Sequence, residues 1–138
     1  MTLARHRLRH RARDTRPRSE DGRLVPDSVV NTAYPAVAAD LPLPTPGGRW
    51  DVQTTVRGYG DIYQEAQSQR WGPLTKFTIG TCTYEVLDGK VVYTSDDDFV
   101  ITEGIYYFSE LGIGLLYSYD DSETAPETYA FARIEALR

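Results

Sequence analysis

The chain has a single cysteine, Cys82, so no disulfide can form within it and its folding does not depend on an oxidising compartment. Its two histidines, His6 and His10, lie in an arginine-rich start, which leaves everything beyond them without an imidazole. That absence excludes a Ser-His-Asp or Cys-His nucleophile system in the body and argues against a zinc site. No apolar run reaches the roughly 18 residues of a membrane span. The apolar core of a secretory signal is missing as well, because residues 24–41 are broken by Pro26, Asp27, Asn31, Pro35 and Asp40. A cytoplasmic protein with no membrane partner is the expectation. There is no phosphate-cradling Gly-Lys-Ser/Thr loop and no dinucleotide fingerprint, and Gly112-Ile113-Gly114 reads as a turn between strands. The aspartate runs Asp96–Asp98 and Asp120–Asp121 lack the spacing of a calcium loop and its closing bidentate glutamate, so they read as solvated turns. Neither a cofactor nor a metal is expected.

Charge divides the chain. Residues 1–23 carry eight arginines against three acids, net +5, whereas residues 24–138 carry seven basic and seventeen acidic side chains, net −10. A body of that sign repels phosphates, so nucleic acid is not an expected partner, although the arm alone could attract an acidic one. The arm has few apolar residues and no pattern that buries them, which is the composition of a solvated tail. Residues 24–46 contain Pro26, Pro35, Pro42, Pro44 and Pro46, and the run Leu41-Pro-Leu-Pro-Thr-Pro46 favours an extended, polyproline-like strap. Its few apolar anchors favour loose packing over closure as a lid. The expected division is a basic, Pro-rich and largely disordered arm over 1–46 and a folded domain over 47–138.

From Trp50 the period becomes two. Trp50, Val52, Thr54 and Val56 alternate with Asp51, Gln53, Thr55 and Arg57, as in a strand with one buried face. Gly58-Tyr59-Gly60-Asp61 reads as a turn, Ile62–Trp71 as a strand ending at Gly72-Pro73, and Leu74–Leu87 as a long β segment bent at Gly80. Asp88-Gly89 before Val91-Val92-Tyr93 reads as a hairpin turn. Phe99–Phe108, Ile113–Tyr119 and Thr128–Leu137 complete the set. Short strands joined by short turns imply an all-β chain, and closure removes exposed edges. The expected fold is a small antiparallel up-and-down β-barrel of about 7–8 strands.

Within Phe99-Val-Ile-Thr-Glu-Gly-Ile-Tyr-Tyr107, one face reads Phe99, Ile101, Glu103, Ile105, Tyr107. A carboxylate in an apolar stripe that lines a barrel would be desolvated, and its pKa would rise towards the range of a general acid or a ligand's hydrogen-bond partner. The competing arrangement points Glu103 outward or pairs it with Arg57 or Arg70. Nine of ten tyrosines lie from Tyr59 onward. Rings with a polar tip suit a pocket for a planar ligand, and they equally suit ordinary strand packing. Tyr84, Tyr107 and Tyr117 are the candidate phenolic partners of Glu103, and Phe99, Ile101 and Ile105 its apolar surroundings.

Gly48-Arg49-Trp50 at the head of the first strand resembles the Gly-x-Trp signature of lipocalins and the wider calycin barrels. The resemblance implies that a cation from the last strand covers the Trp50 ring, and Arg133 in Tyr129-Ala-Phe-Ala-Arg-Ile-Glu135 occupies that place; such a stack combines apolar contact with cation–π attraction. Residues 76–134, through Thr83-Tyr-Glu-Val86 and Ile101-Thr-Glu-Gly-Ile-Tyr106, resemble the calycin-like barrels of MoaF and the phenolic acid decarboxylases. That resemblance assigns a catalytic glutamate to Glu103. It breaks at Phe77 and Ile79, which carry no phenol where the decarboxylases have a Tyr-x-Tyr pair, and at Thr94, near where they have an arginine. The barrel is implied; decarboxylation is not. The expected function is binding of a small apolar or aromatic molecule. The alternative is a cofactor-free lyase, isomerase or cyclase using Glu103 as general acid or base, with orientation supplying much of the acceleration. A filled core would instead favour a structural or interaction module.

Overall fold

The computed structural model describes residues 19–25, 29–58 and 60–135. Its body is one antiparallel sheet of seven strands in plain chain order. These are β3 (Asn31–Ala33), β4 (Arg49–Gly58), β5 (Asp61–Ile79), β6 (Cys82–Ser95), β7 (Val100–Phe108), β8 (Ile113–Asp120) and β9 (Glu127–Thr128). A separate two-stranded ribbon, β1 (Ser19–Glu20) and β2 (Arg23–Leu24), precedes it. The all-β, antiparallel, up-and-down architecture agrees with the sequence reading. Closure does not follow: β3 and β9 stand at opposite ends of the strand order and do not pair. They are three and two residues long, too short to bridge a seam between the long central strands. No helix among the described residues is long and apolar enough to cross a membrane.

Three local expectations change. Asp88-Gly89 is no turn; both residues lie inside β6, Asp88 opposite Tyr106 and Gly89 between Trp71 and Ile105. The glycine serves packing: a Cβ there would collide with the six-membered ring of Trp71, meeting Cη2 at 2.8 Å. The turn is instead Gly80-Thr81, with Ile79 opposite Cys82 and Gly80 at φ 61°, a conformation that glycine adopts without strain. Gly72-Pro73 does not end a strand either. β5 runs through it with a bulge between Trp71 and Leu74, where a residue lacking an N–H costs no ladder bond.

Strand alternation gives the sheet two faces. On one lie Val52, Thr54 and Val56 of β4, Tyr63, Glu65 and Gln67 of β5, Val91 and Tyr93 of β6, and Ile101 and Glu103 of β7. The segment before β4 crosses this face, hereafter the strap face. β3 pairs Thr32 with Val56, a Cβ on Gly58 would meet Val30 Cγ2 at 2.9 Å, and the Tyr34 ring stacks on Trp50. Gly47 donates to Gly72 O at 3.1 Å and Trp71 to Gly48 O at 2.9 Å, which fixes the strap's end to the bulge of β5. The sheet therefore begins upstream of the Gly47-Gly48 seam. Residues 1–18 and 26–28 of the proposed arm lie outside the described residues, as do Tyr59 and residues 136–138.

The other face carries the apolar cluster of Ile79, Val86 and Phe108, with Phe77, Tyr84, Tyr106 and Leu115 beside it. Phe131 and Ile134 pack against this cluster from the C-terminal tail. The last strand, expected over Thr128–Leu137, is only Glu127–Thr128 because the chain then leaves the sheet to cover this tail face. One sheet thus buries opposite faces in different parts of its length.

Candidate functional site on the strap face

The register arranges the strap face in rows. Thr54, Glu65 and Ser95 form one; Val52, Gln67, Tyr93 and Ile101 the next; Trp50, Gln69, Val91, Glu103 and Tyr119 the third; Trp71, Gly89 and Ile105 the fourth. Polar heads sit among apolar neighbours in the first two rows, and they are buried: Thr54 is 1 % exposed, Gln67 4 % and Glu65 5 %. Hydrogen bonds hold them in place, as burial of polar groups requires. Thr54 Oγ1 donates to Glu65 O at 3.1 Å, and Gln67 Nε2 donates to Glu65 Oε1 at 3.3 Å. The Tyr34 hydroxyl donates to Gln67 Oε1 at 3.0 Å, so the strap is tied to the same amide. Ser95 serves its turn, donating to Asp97 Oδ1 at 2.8 Å.

Glu103 lies on this face and is half-buried. Its Oε2 accepts a hydrogen bond from the Tyr93 hydroxyl at 2.9 Å. Ile101, 1 % exposed, and the half-buried Ile105 and Tyr107 share its stripe as expected. Arg57 and Arg70 alternate onto the opposite side, where Arg70 Nη1 meets Asp51 Oδ1 at 2.9 Å. Hydrogen bonding from Arg70, then from Ser68, lowers the Asp51 carboxyl to about 2. Phe99 precedes β7, and its N–H donates to Asp97 Oδ1 at 3.2 Å, so it belongs to the turn.

Tyr84 and Tyr117 are not brought to Glu103. Both occupy the tail face, where Tyr84 meets Phe108 edge-on at 5.4 Å and Tyr117 stacks on Tyr106 at 4.2 Å. The Tyr117 hydroxyl donates to Asp88 Oδ1 at 2.6 Å, and burial, then this bond, pushes its pKa well above the ordinary tyrosine value. Adjacent residues in a strand face opposite ways, so Tyr106 and Tyr107 divide between the two faces. Gly104 makes room for the stack, since a Cβ there would meet Tyr117 Cζ at 2.5 Å.

The Trp50–Arg133 stack does not form. Tyr34 takes the place at Trp50, with ring centroids 6.1 Å apart and planes at 16°, while Arg133 Nε lies 3.1 Å from Glu135 Oε1 in the exposed tail. Trp71 lies over Gly89 and edge-on to Tyr107 at 6.1 Å. Between strap and sheet, Pro42, Leu43 and Thr45 with Gly48, Arg49, Trp50, Gln69 and Trp71 line a cleft of about 50 Å³. Glu103 is not among its walls.

Glu65, Gln67 and Tyr93 escaped the sequence reading, and Tyr34 counted there only among the strap's few apolar anchors. Tyr63, Glu65, Gln67, Gln69 and Trp71 do alternate, but the inward set is mostly polar, which hides the buried face from a hydrophobicity pattern. Chemically, the face offers the Glu65 and Glu103 carboxylates, the Gln67 and Gln69 amides, which donate and accept, and phenols and flat rings. Among the described residues, no group of three or more His, Cys, Asp or Glu side chains is placed to hold a metal ion. Comparison with known proteins finds no matching family model, no matching curated protein and no matching solved structure.

Proposed function

We propose that the protein binds a small apolar or aromatic molecule on its strap face, with Glu103 and Tyr93 gripping the ligand's polar group. The observation that carries this reading is the buried polar set itself. Thr54, Glu65 and Gln67, with the Tyr93–Glu103 pair on the neighbouring strands β6 and β7, share a face with the buried Val56, Val91 and Ile101. Valine or leucine would fill those positions at lower desolvation cost, and convergent polar groups on an apolar ground are the usual makeup of a ligand site. A calycin-like ancestry, suggested by Gly48-Arg49-Trp50 and Ile101–Tyr106, belongs to this reading, with the strap in the place of further wall. The test is a metabolite library measured by ligand-observed NMR against wild type and Glu103→Gln. Binding weakened about tenfold or more in the variant supports the proposal, corresponding to loss of a hydrogen bond to a charged group. Equal affinity in both proteins, or no ligand from a broad library, refutes it.

A second reading, a cofactor-free lyase, isomerase or cyclase, draws on one contact. The phenol of Tyr93 fixes the Glu103 carboxylate at 2.9 Å, an acid–base pair aimed by the sheet rather than by a loop. Turnover of a bound library member that disappears in Glu103→Gln while binding persists would establish it.

A further inference from the structure

We infer that the groove formed by Trp50, Gln69 and Trp71 reads proline-rich segments, and that the chain's own strap occupies it in cis. Both tryptophans of the chain lie in this groove. Each indole is held by neighbours other than the strap prolines: Trp50 by the stacked Tyr34 ring, Trp71 by its seat over Gly89 and the edge of Tyr107. The opposing wall is Pro42, Leu43 and Thr45. The strap's backbone has the matching form. After a 3-10 turn over Ala38–Asp40, Leu41 leads out at φ −71°, ψ 132°, and residues 42–45 form neither helix nor strand, while Pro42, Pro44 and Pro46 fix their own φ near the polyproline II value and push Leu41, Leu43 and Thr45 towards extended backbone. Flat aromatic side chains facing a segment of this form are the hallmark of polyproline recognition, because the preformed helix loses little entropy and leaves its carbonyls free for a donor such as the Gln69 amide.

The strap does not seal the groove. Leu43 is 74 % exposed, and the cleft of about 50 Å³ remains beneath it. Its firm attachments lie at either side, in the β3–β4 pairing and in the Gly47–Gly72 and Trp71–Gly48 bonds. The stretch between can lift while both ends stay in place, and a partner segment of Leu-Pro-x-Pro chemistry then takes the same seat. The Tyr93–Glu103 pair at the centre of the proposed small-molecule site is not among the walls of this groove, so the two readings are tested by different substitutions.

A synthetic Leu-Pro-Leu-Pro-Thr-Pro peptide, the sequence of residues 41–46, tests this with intrinsic fluorescence, since both emitting indoles line the groove. The recipients are the full wild-type chain and two strap variants, Leu43→Ser and Pro42→Ser/Pro44→Ser, checked for an unchanged circular dichroism spectrum. A tethered segment competes at roughly millimolar effective concentration, so the expected result is peptide affinity at least about tenfold higher in the strap variants than in wild type. The same peptide with serine for proline should not bind, and Trp71→Phe in the Leu43→Ser background should weaken binding. No saturable change in a folded Leu43→Ser protein, or equal binding of the serine peptide, overturns the inference.

Discussion

Gly89→Ala is the sharpest probe of how this sheet is packed. The residue lies mid-strand with buried surroundings and no positive φ, so alanine meets no backbone strain. On propensity alone, replacing glycine in a strand interior would stabilise by about 0.5–1 kcal/mol. The Trp71 ring reverses the sign. A Cβ at this position enters the space of Cε3, Cζ3 and Cη2, so the indole must leave its seat. Forcing atoms into a packed site costs about 1–3 kcal/mol, and losing the edge contact with Tyr107 a further 0.5–1.5 or so. Net destabilisation of about 1–3 kcal/mol is expected, a shift of about 1 M in the urea midpoint. Urea unfolding followed by circular dichroism measures it. In a Trp71→Leu background the clash disappears, and the same Gly89→Ala change should be neutral or stabilising. Gly114→Ala, whose Cβ would meet Ile105 Cγ2 at 3.3 Å, is the mild control. A neutral Gly89→Ala in the wild type, or an equal cost in both backgrounds, would refute the reasoning.

Other substitutions follow from named contacts. Tyr34→Phe removes the hydrogen bond to the buried Gln67 amide and should cost about 0.5–1.5 kcal/mol by the same urea assay. Glu103→Gln retains an acceptor for the Tyr93 hydroxyl and should leave stability nearly unchanged, whereas Glu103→Ala should cost about 1 kcal/mol. The depressed Asp51 carboxyl contributes stability above its ordinary value of 3.8, and loses it as pH falls towards about 2. The stability gap between wild type and Asp51→Asn should therefore shrink across that window. Tyr117 has the opposite sign. Its raised pKa favours the fold below the ordinary tyrosine value of 10.0, and the contribution is lost as pH rises through the folded value. Tyr117→Phe should lessen alkaline destabilisation, and absorbance at 295 nm should show Tyr117 ionising after the exposed tyrosines.

Period-two alternation made the long strands legible. Trp50–Val56 and Ile101–Tyr107 each present one face, and the structure keeps both stripes intact. The Asp96–Asp98 turn and the Gly112 turn were legible from residue chemistry, and both Asp98 and Gly112 have positive φ. Gly89 misled because its role is packing. Gly89 and Gly104 each accommodate a ring from the neighbouring strand, a relation between residues distant in sequence that turn chemistry cannot express. The bulge between Gly104 and Ile105 likewise resets the β7–β8 register, and no local signal marks it. Site residues divided the same way. The stripe through Glu103 could be read because its surroundings are apolar, but its partner Tyr93 is supplied by cross-strand placement in β6. Tyr84 had the right chemistry and the wrong parity, whereas Tyr117, of the same parity as Tyr119, is turned to the tail face at the β7–β8 bulge. Closure was the furthest inference: local alternation dictates a sheet with buried faces, whereas the strap and tail decide what covers them.

The proposal that the strap face bears the ligand is tested most directly by amide chemical-shift mapping of the full chain during titration with a library hit. Perturbations are predicted to gather at Thr54, Glu65, Gln67, Val91, Tyr93, Ile101 and Glu103, across β4 to β7. Perturbations centred on Val86, Tyr106 and Phe108 of the tail face would contradict the account.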